Sequence, residues 1–438
     1  MPIGLLRVLR MVIRADSDPA RQALFANLMQ AHVVVRLIFA VHERIEGTLA
    51  SAWLVAGYGF AALLRIVPPR ARAQVLAVAR HANARRQVSR VTDWIGAADC
   101  TVVDTGIDPV AAWSAVRLVA RGRIRRIVRL LGRIDAQHGF LVGCRAASAL
   151  AWYARSRQSM TGARPGAVLV SSDSNPEEVG FIGAARGLGI PTVFVSHAYP
   201  TPLTPPLDFS LSILEGEAAV RARQEKGPIR GDVLLAGVEG ESAPLDAQRF
   251  RVPHPVIGIF TPKAVSWPTL ASLIDDCRRY YHPRQVVIRW HPSMLEEPHL
   301  HYVLHDLTAV VESPRSAALS DVARQCDWVI ADENSNVHLP VLKLGIPTVA
   351  VRHLGIYPDS RSDQYGFVAH GVILPPLHSI ADVHAEDLAA FFDAGWAQRF
   401  HDYDASYLQP ADAIAARVRA AVRALFEPVA STAARVPA

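Results

Sequence analysis

The chain has 438 residues, half of them hydrophobic and 20% charged, which excludes a disordered polymer and leaves room for two or three domains with large cores. The formal net charge of +6 hides an asymmetry: residues 1–164 carry 24 arginines, no lysine and 9 acidic residues, a balance of +15, whereas the remainder carries 22 basic and 31 acidic residues, a balance of −9. The basic portion calls for an anionic partner, whether anionic lipid, a polyanionic acceptor or nucleic acid.

Residues 1–95 are expected to form a helical, basic N-terminal region. Met1–Arg14 is apolar but interrupted by Arg7, Arg10 and Arg14, so it reads as a basic amphipathic segment and not as a secretory signal. Asp16-Ser17-Asp18 before Pro19 is a helix start, and His32–Val41 is apolar apart from Arg36. Leu49–Leu64 is an uncharged, strongly apolar stretch of 16 residues. That is short of the roughly 20 needed to span a bilayer, and a core helix, a membrane-surface helix and a span all remain open. Pro68-Pro69 ends it, and Ala71–Arg90 is expected as an Ala-rich helix.

Residues 96–240 are expected to form a first Rossmann-like domain. Cys100–Asp104 reads as a strand, and Asp108-Pro109 starts a helix. Arg117, Arg121, Arg125, Arg129 and Arg133 recur every fourth residue and make one basic ridge on that helix. The ridge is either an ordinary solvated face or a surface for an anionic membrane or lipid-pyrophosphate acceptor; no interleaved aromatics accompany it, which argues against nucleic acid. A βαβ unit follows: strand Ala167–Val170, polar exit Ser171–Pro176, helix Glu177–Gly187, strand Pro191–Val195 and exit Ser196–Pro200. The unperturbed pKa of an imidazole lies near neutrality, so a histidine at position 197 can take a proton from an acceptor hydroxyl: His197 is the first candidate base. Asp173 is the rival base and Asp104 a weaker one, while Glu177 and Glu178 complement the helix dipole. Phe209–Leu214 and Val233–Ala236 read as strands, and Gly237–Pro253 as the linker.

Residues 241–380 are expected to form a second Rossmann-like domain, with helices and a frayed tail in 381–438. Pro255–Phe260 reads as its first strand, followed by Thr261-Pro262-Lys263. The apolar run Val286-Val287-Ile288 reads as a buried parallel strand ending in Arg289-Trp290-His291-Pro292. A second such strand, Trp328–Ala331, ends in Asp332-Glu333-Asn334-Ser335-Asn336 and leads through a helix to Leu344-Gly345-Ile346-Pro347 and Thr348–Val351. Ligands gather at the carboxyl edge of such sheets. Arg289, His291 and Lys263 suit a phosphate-bearing ligand there, and Ser335 can cap a helix whose free N–H groups attract anions. Val372–Leu374 is expected as a last strand, with helices over 380–398 and 409–426. The four cysteines, Cys100, Cys144, Cys277 and Cys326, have no metal or redox spacing and read as buried thiols in a reducing compartment. No Walker or dinucleotide fingerprint occurs, which argues against an NTPase or a dehydrogenase.

Arg-x-His-Pro on one strand end, followed by Asp-x-x-Ser and a helix closing on Leu-Gly-x-Pro, resembles the donor half of two-domain GT-B transferases of bacterial surface polymers. The groups resembled are the CDP-glycerol polyol phosphotransferases, the bacterial polysialyltransferases and the capsule Kdo transferases. The resemblance spans roughly residues 166–375. It implies two Rossmann-like domains facing a cleft. It assigns donor-nucleotide contacts to Arg289, His291, Pro292 and Ser335, with Glu333, Asn334, Asn336 and Lys263 beside them. It also places His197 next to the acceptor in the first domain, although Ala198 stands where those families have Gly. The acid that holds the ribose in many such enzymes falls on Pro340, and Asp332 or Glu333 is the substitute.

The expected activity is metal-independent glycosyl or polyol-phosphate transfer from a nucleotide-activated donor, CMP- or CDP-linked by preference with UDP-linked open, and without a further cofactor. The expected acceptor is a surface or lipid-linked glycan at the cytoplasmic face of the membrane, with the protein cytoplasmic and peripheral. The alternatives are a UDP-sugar 2-epimerase of the same fold and a non-catalytic scaffold for membrane or polyanion.

Overall fold

The computed structural model describes residues 8–13, 40–42, 44, 48–63, 74–79, 82–103, 124–196, 199–200, 206–238, 240, 242–292, 294, 300, 308–356, 363–382, 384–393 and 395–426. His197, Arg117, Arg121, Asp104 and the helix start at Asp108-Pro109 lie outside the described residues, as do the Asp16–Pro19 start and the tail beyond Phe426. The chain divides into two compact units: Met1–Leu214 with Val220–Leu235 and Asp412–Ala438, and Glu215–Ala219 with Ala236–Ala411.

In the first unit β1 (Val75–Val78), β2 (Cys100–Val102), β3 (Ala167–Val170), β4 (Thr192–Val195), β5 (Asp208–Leu214) and β6 (Arg230–Leu235) form one sheet in the order β2-β1-β3-β4-β5-β6. Every pairing is parallel. The helices are α1 (Thr48–Leu63), α2 (Ala82–Ile95), α3 (Ile124–His138), α4 (Phe140–Gly162), α5 (Pro176–Gly187) and α6 (Glu217–Gln224), the last running across the unit boundary. The expected helix over Ala71–Arg90 is corrected: Val75–Val78 is a fully buried strand, and the helix starts at Ala82. Four apolar residues between Ala- and Arg-rich flanks look helical in isolation, but pairing on both sides with β2 and β3 decides the conformation. Helix α4 has no counterpart among the elements read from sequence. It is the central helix of this unit, buried from Phe140 to Ser156, and it carries two arginines, Arg145 and Arg155, inside. Gly59 lets α1 press onto α4, since a Cβ there would stand 2.8 Å from that of Ala147.

In the second unit β7 (Val256–Phe260), β8 (Gln285–Arg289), β9 (Val310–Glu312), β10 (Trp328–Asp332) and β11 (Thr348–Val351) form a sheet in the order β11-β10-β7-β8-β9, again all parallel. Its helices are α7 (Trp267–Asp276), α8 (Leu319–Ala323), α9 (His338–Lys343), α10 (Ala385–Phe391) and α11 (Trp396–Tyr403). Phe260, Val287, Val329, Val341 and Ile346 pack into the core on one face of this sheet. Gly345 ends α9 at φ +79°, and a Cβ there would lie 2.5 Å from the Pro244 carbonyl. Val372–Leu374 is not a strand; Val372 and Ile373 are buried in a turn, and Leu377 makes the bridge to Val351. Lys343, 2% exposed, reaches Asp404 at 3.2 Å and Ser406 Oγ at 2.6 Å, while Asp404 Oδ1 accepts the Val238 N–H at 3.0 Å. This buried pair ties 404–406 to the start of the unit. The final helix, α12 (Ala411–Arg423), returns to the first unit, where Arg419 Nε donates to the Trp94 carbonyl at 2.6 Å and Arg423 meets Asp99 at 3.2 Å.

The architecture is therefore α/β, with two Rossmann-like parallel sheets.

Candidate functional site

All strands of the second sheet run parallel, so their carboxyl ends share one edge. There β7 delivers Thr261–Lys263, β8 delivers Arg289–Pro292, β10 delivers Asp332–Asn336 and β11 delivers Arg352–Ile356.

Arg289 sits opposite Phe260 in the β7–β8 register, and its guanidinium lies 5.5 Å from that ring. It is only 8% exposed. Among the described residues its one hydrogen bond is a long contact from Nη2 to the Ala317 carbonyl at 3.5 Å, and its buried Nε has no acceptor there. Burial pulls this guanidinium below its ordinary pKa, yet arginine stays charged in proteins. Trp290 is 2% exposed and anchored by its Nε1–H to Glu312 Oε2 at 2.7 Å. Thr261 sets the exit of β8: its N–H donates to the Arg289 carbonyl at 3.0 Å and its hydroxyl accepts the His291 N–H at 3.2 Å. His291 is half-buried, and burial first, then the nearby charges of Arg289 and Lys263, hold its imidazole below the ordinary histidine pKa. The imidazole is thus neutral at pH 7. Lys263 and Pro292 are exposed. The structure accordingly brings two cations, Lys263 and Arg289, together with the neutral imidazole of His291.

On the β10 side, Asp332 is 2% exposed and works as a brace. Oδ1 accepts the Asn334 N–H at 3.0 Å, and Oδ2 accepts the Gly355 N–H at 2.7 Å. Burial raises its pKa against these two bonds. Ser335 departs from expectation. Its hydroxyl accepts the Val337 N–H at 3.3 Å in a local turn, while α9 begins only at His338, six residues long and without a side-chain cap. It is a turn former and not the N-cap. Asn334 Oδ1 accepts the Gln364 N–H at 3.1 Å, and Asn336 is exposed.

Ser266, Asp332, Glu333, Asn334, His353, Gly355 and Ile356 line a cavity of about 290 Å³. Burial and the charge of Asp332 raise the Glu333 pKa, while Arg352, His353 and His378 oppose them. His353 adopts φ +61°, a strained conformation for a residue with a Cβ. An antiparallel bridge between Val265 and Gly355 joins the loops after β7 and β11. Strands β8 and β10 lie on either side of β7, so their ends stand roughly 10 Å apart. A bare phosphate does not cover that span; a nucleotide, with its ribose and base, does.

Sequence reasoning missed Thr261 and His338. The His338 ring is wholly buried, with Nδ1 3.0 Å from Thr348 Oγ1 and Nε2 3.1 Å from the Asp332 carbonyl, and burial lowers its pKa to about 4. It holds the end of β10 in place. A hydroxyl directly after β7 is a legible signal for Thr261; nothing local distinguishes His338 from a surface histidine.

In the first unit Asp173 is bound to Arg223, whose Nη1 donates to Oδ2 at 2.7 Å in a buried pair. Both glutamates after it lie in the first turn of α5. Of the ridge, Arg125, Arg129 and Arg133 stand exposed on α3, joined by Arg126.

No family model and no curated protein matches this chain. Among solved structures, the calicheamicin glycosyltransferase CalG4 is similar with a TM-score of 0.48 at 13% identity, over 82% of this chain and all of that one. The UDP-GlcNAc 2-epimerase from Neisseria meningitidis bound to UDP-GlcNAc is similar with a TM-score of 0.47 at 12% identity, over 78% of this chain and 98% of that one. The glycosyltransferase SnogD from Streptomyces nogalater is similar with a TM-score of 0.42 at 14% identity, over 80% of this chain and all of that one.

Proposed function

We propose that the chain is a nucleotide-sugar-dependent transferase whose second sheet holds the donor phosphates at its carboxyl edge. The observation that carries this reading is Arg289. A buried guanidinium that, among the described residues, has a single long contact and an undonated Nε retains strong hydrogen-bonding capacity for an anion. Lys263 and His291 add donors to the same cluster.

In the proposed reaction the bond from the donor sugar to its phosphate oxygen breaks, and the nucleotide leaves with the electron pair. The acceptor hydroxyl oxygen forms the new bond, and its proton passes to a base. Arg289, His291 and Lys263 stabilise the departing charge. His197 is the proposed base. Asp173 is less suited, because accepting a proton would dissolve its buried pair with Arg223. Removing the base should slow transfer about 10²–10⁴-fold. The proposed donor is CMP- or CDP-linked, and the proposed acceptor is a surface or lipid-linked glycan at the cytoplasmic face of a membrane.

One observation favours the epimerase alternative: Glu333, His353 and His378 gather beside the cavity, an acid with imidazoles suited to proton transfer on a sugar. The deciding experiment measures thermal stability with CMP, CDP and UDP, then analyses products from the nucleotide that binds. At a hundredfold excess over Kd, binding adds about 2.7 kcal/mol. A shift absent from Arg289→Met, with transfer or donor hydrolysis and no epimerised sugar, supports the transferase. Epimerised sugar supports the alternative, and no shift with any nucleotide overturns both in favour of a scaffold.

A further inference from the structure

Helices α1 and α3 pack side by side in the first unit and carry opposite kinds of exposed surface. Helix α1 has no charged residue along its length, and its outer face is Leu49, Ala50, Trp53, Gly57 and Ala61. Leu49 and Trp53 are 64% and 53% exposed, large apolar groups facing water on a helix whose inner face is already buried. Helix α3 exposes Arg125, Arg126, Arg129 and Arg133. Its one carboxylate, Asp135, is turned into the seam, where it accepts from the Ser51 hydroxyl and stands 3.6 Å from His42 Nε2. The outer face of α3 is therefore cationic with no acid of its own.

We infer that α1 and α3 together form a membrane-docking face, with Leu49 and Trp53 entering the headgroup boundary and the α3 arginines paired with anionic lipid phosphates. An apolar stripe carrying an indole beside an arginine row is the pattern of an interfacial helix. At sixteen residues α1 is shorter than a bilayer span requires, and among the described residues no helix is long and apolar enough to cross a membrane. The +15 balance of residues 1–164 adds long-range attraction of the same sign. The inference deepens the proposed membrane-side setting of the transferase, although its argument uses surface residues alone.

Flotation with vesicles of phosphatidylcholine alone and of phosphatidylcholine with equimolar phosphatidylglycerol tests it. The full chain should float with the anionic vesicles only, and salt should release it. Each arginine near the surface contributes roughly fivefold in partitioning, so Arg125→Glu with Arg126→Glu and Arg129→Glu should weaken binding at least about 100-fold. Trp53→Ser, with the ridge intact, should weaken it about tenfold. Equal flotation of wild type and the triple variant overturns the inference. So does equal binding to neutral vesicles. A dimer in sedimentation that Trp53→Ser dissociates assigns the face to a second copy of the chain and also overturns it. Nucleotide-induced stabilisation, measured on the same variants, should persist; its loss in wild type would count against the donor site and leave the membrane result standing.

Discussion

Arg223 and Arg289 are two nearly buried guanidiniums, each near a phenylalanine ring, 5.1 Å from Phe194 in one case and 5.5 Å from Phe260 in the other. Arg223 has a carboxylate at 2.7 Å; among the described residues Arg289 has no ion pair, only a long contact to a carbonyl. A fixed counter-ion makes a buried cation part of the scaffold. Without one, the desolvation cost of the charge stands until an anion arrives. The difference separates a structural arginine, Arg223, from Arg289, which the proposed function assigns to the ligand.

The sharpest break in that comparison is Arg223→Met, which leaves Asp173 buried without its strongest partner; urea unfolding should show a loss of about 3–5 kcal/mol. Acid should act nearly as strongly on the second unit through His338. Its folded-state pKa, about 4, lies below the ordinary 6.5, so the unfolded chain binds the extra proton between these values. Stability should therefore be intact above pH 6.5 and fall by about 3 kcal/mol as pH drops to 4. His338→Gln should flatten that slope in a pH series of melts. Arg289→Met is the counterpart of the first substitution: its unfolding free energy should change by less than about 1 kcal/mol, while nucleotide affinity, read by calorimetry, falls about 10–100-fold. The smallest effect concerns His291. Burial, then its cationic neighbours, hold its pKa down, and a bound phosphate should raise it. Nucleotide affinity should thus rise a few-fold as pH falls through the region below 6.5, and His291→Gln should abolish that dependence.

The strands that carry the site were legible. Val286–Ile288 and Trp328–Ala331 are β-branched or apolar runs closed by polar residues, and both form buried strands whose carboxyl ends bear the expected motifs. Short runs failed where long-range pairing decides, as at Val75–Val78. Strand β9 is three residues with Glu312 at its end, below what periodicity resolves. Helix α4 escaped because its three arginines, two of them buried, mask an otherwise apolar helix. Within the site, residue types were legible and their bonds were not. Ser335 reads as a cap but spends its hydroxyl on the Val337 N–H. Asp332 reads as a ligand and is taken up bracing Asn334 and Gly355. Side-chain bonds to loops twenty residues away leave no trace in local spacing.

The Val265–Gly355 bridge carries a consequence for motion. Ser266 N–H donates to the Leu354 carbonyl at 2.8 Å and Ile356 N–H to that of Ala264 at 3.0 Å, so the turn bearing Lys263 and the turn bearing His353 are stitched into one flap. Gly355 in turn hangs from Asp332. A ligand that displaced Lys263 would drag the whole flap, loosening the cavity wall and the end of β10 at the same stroke.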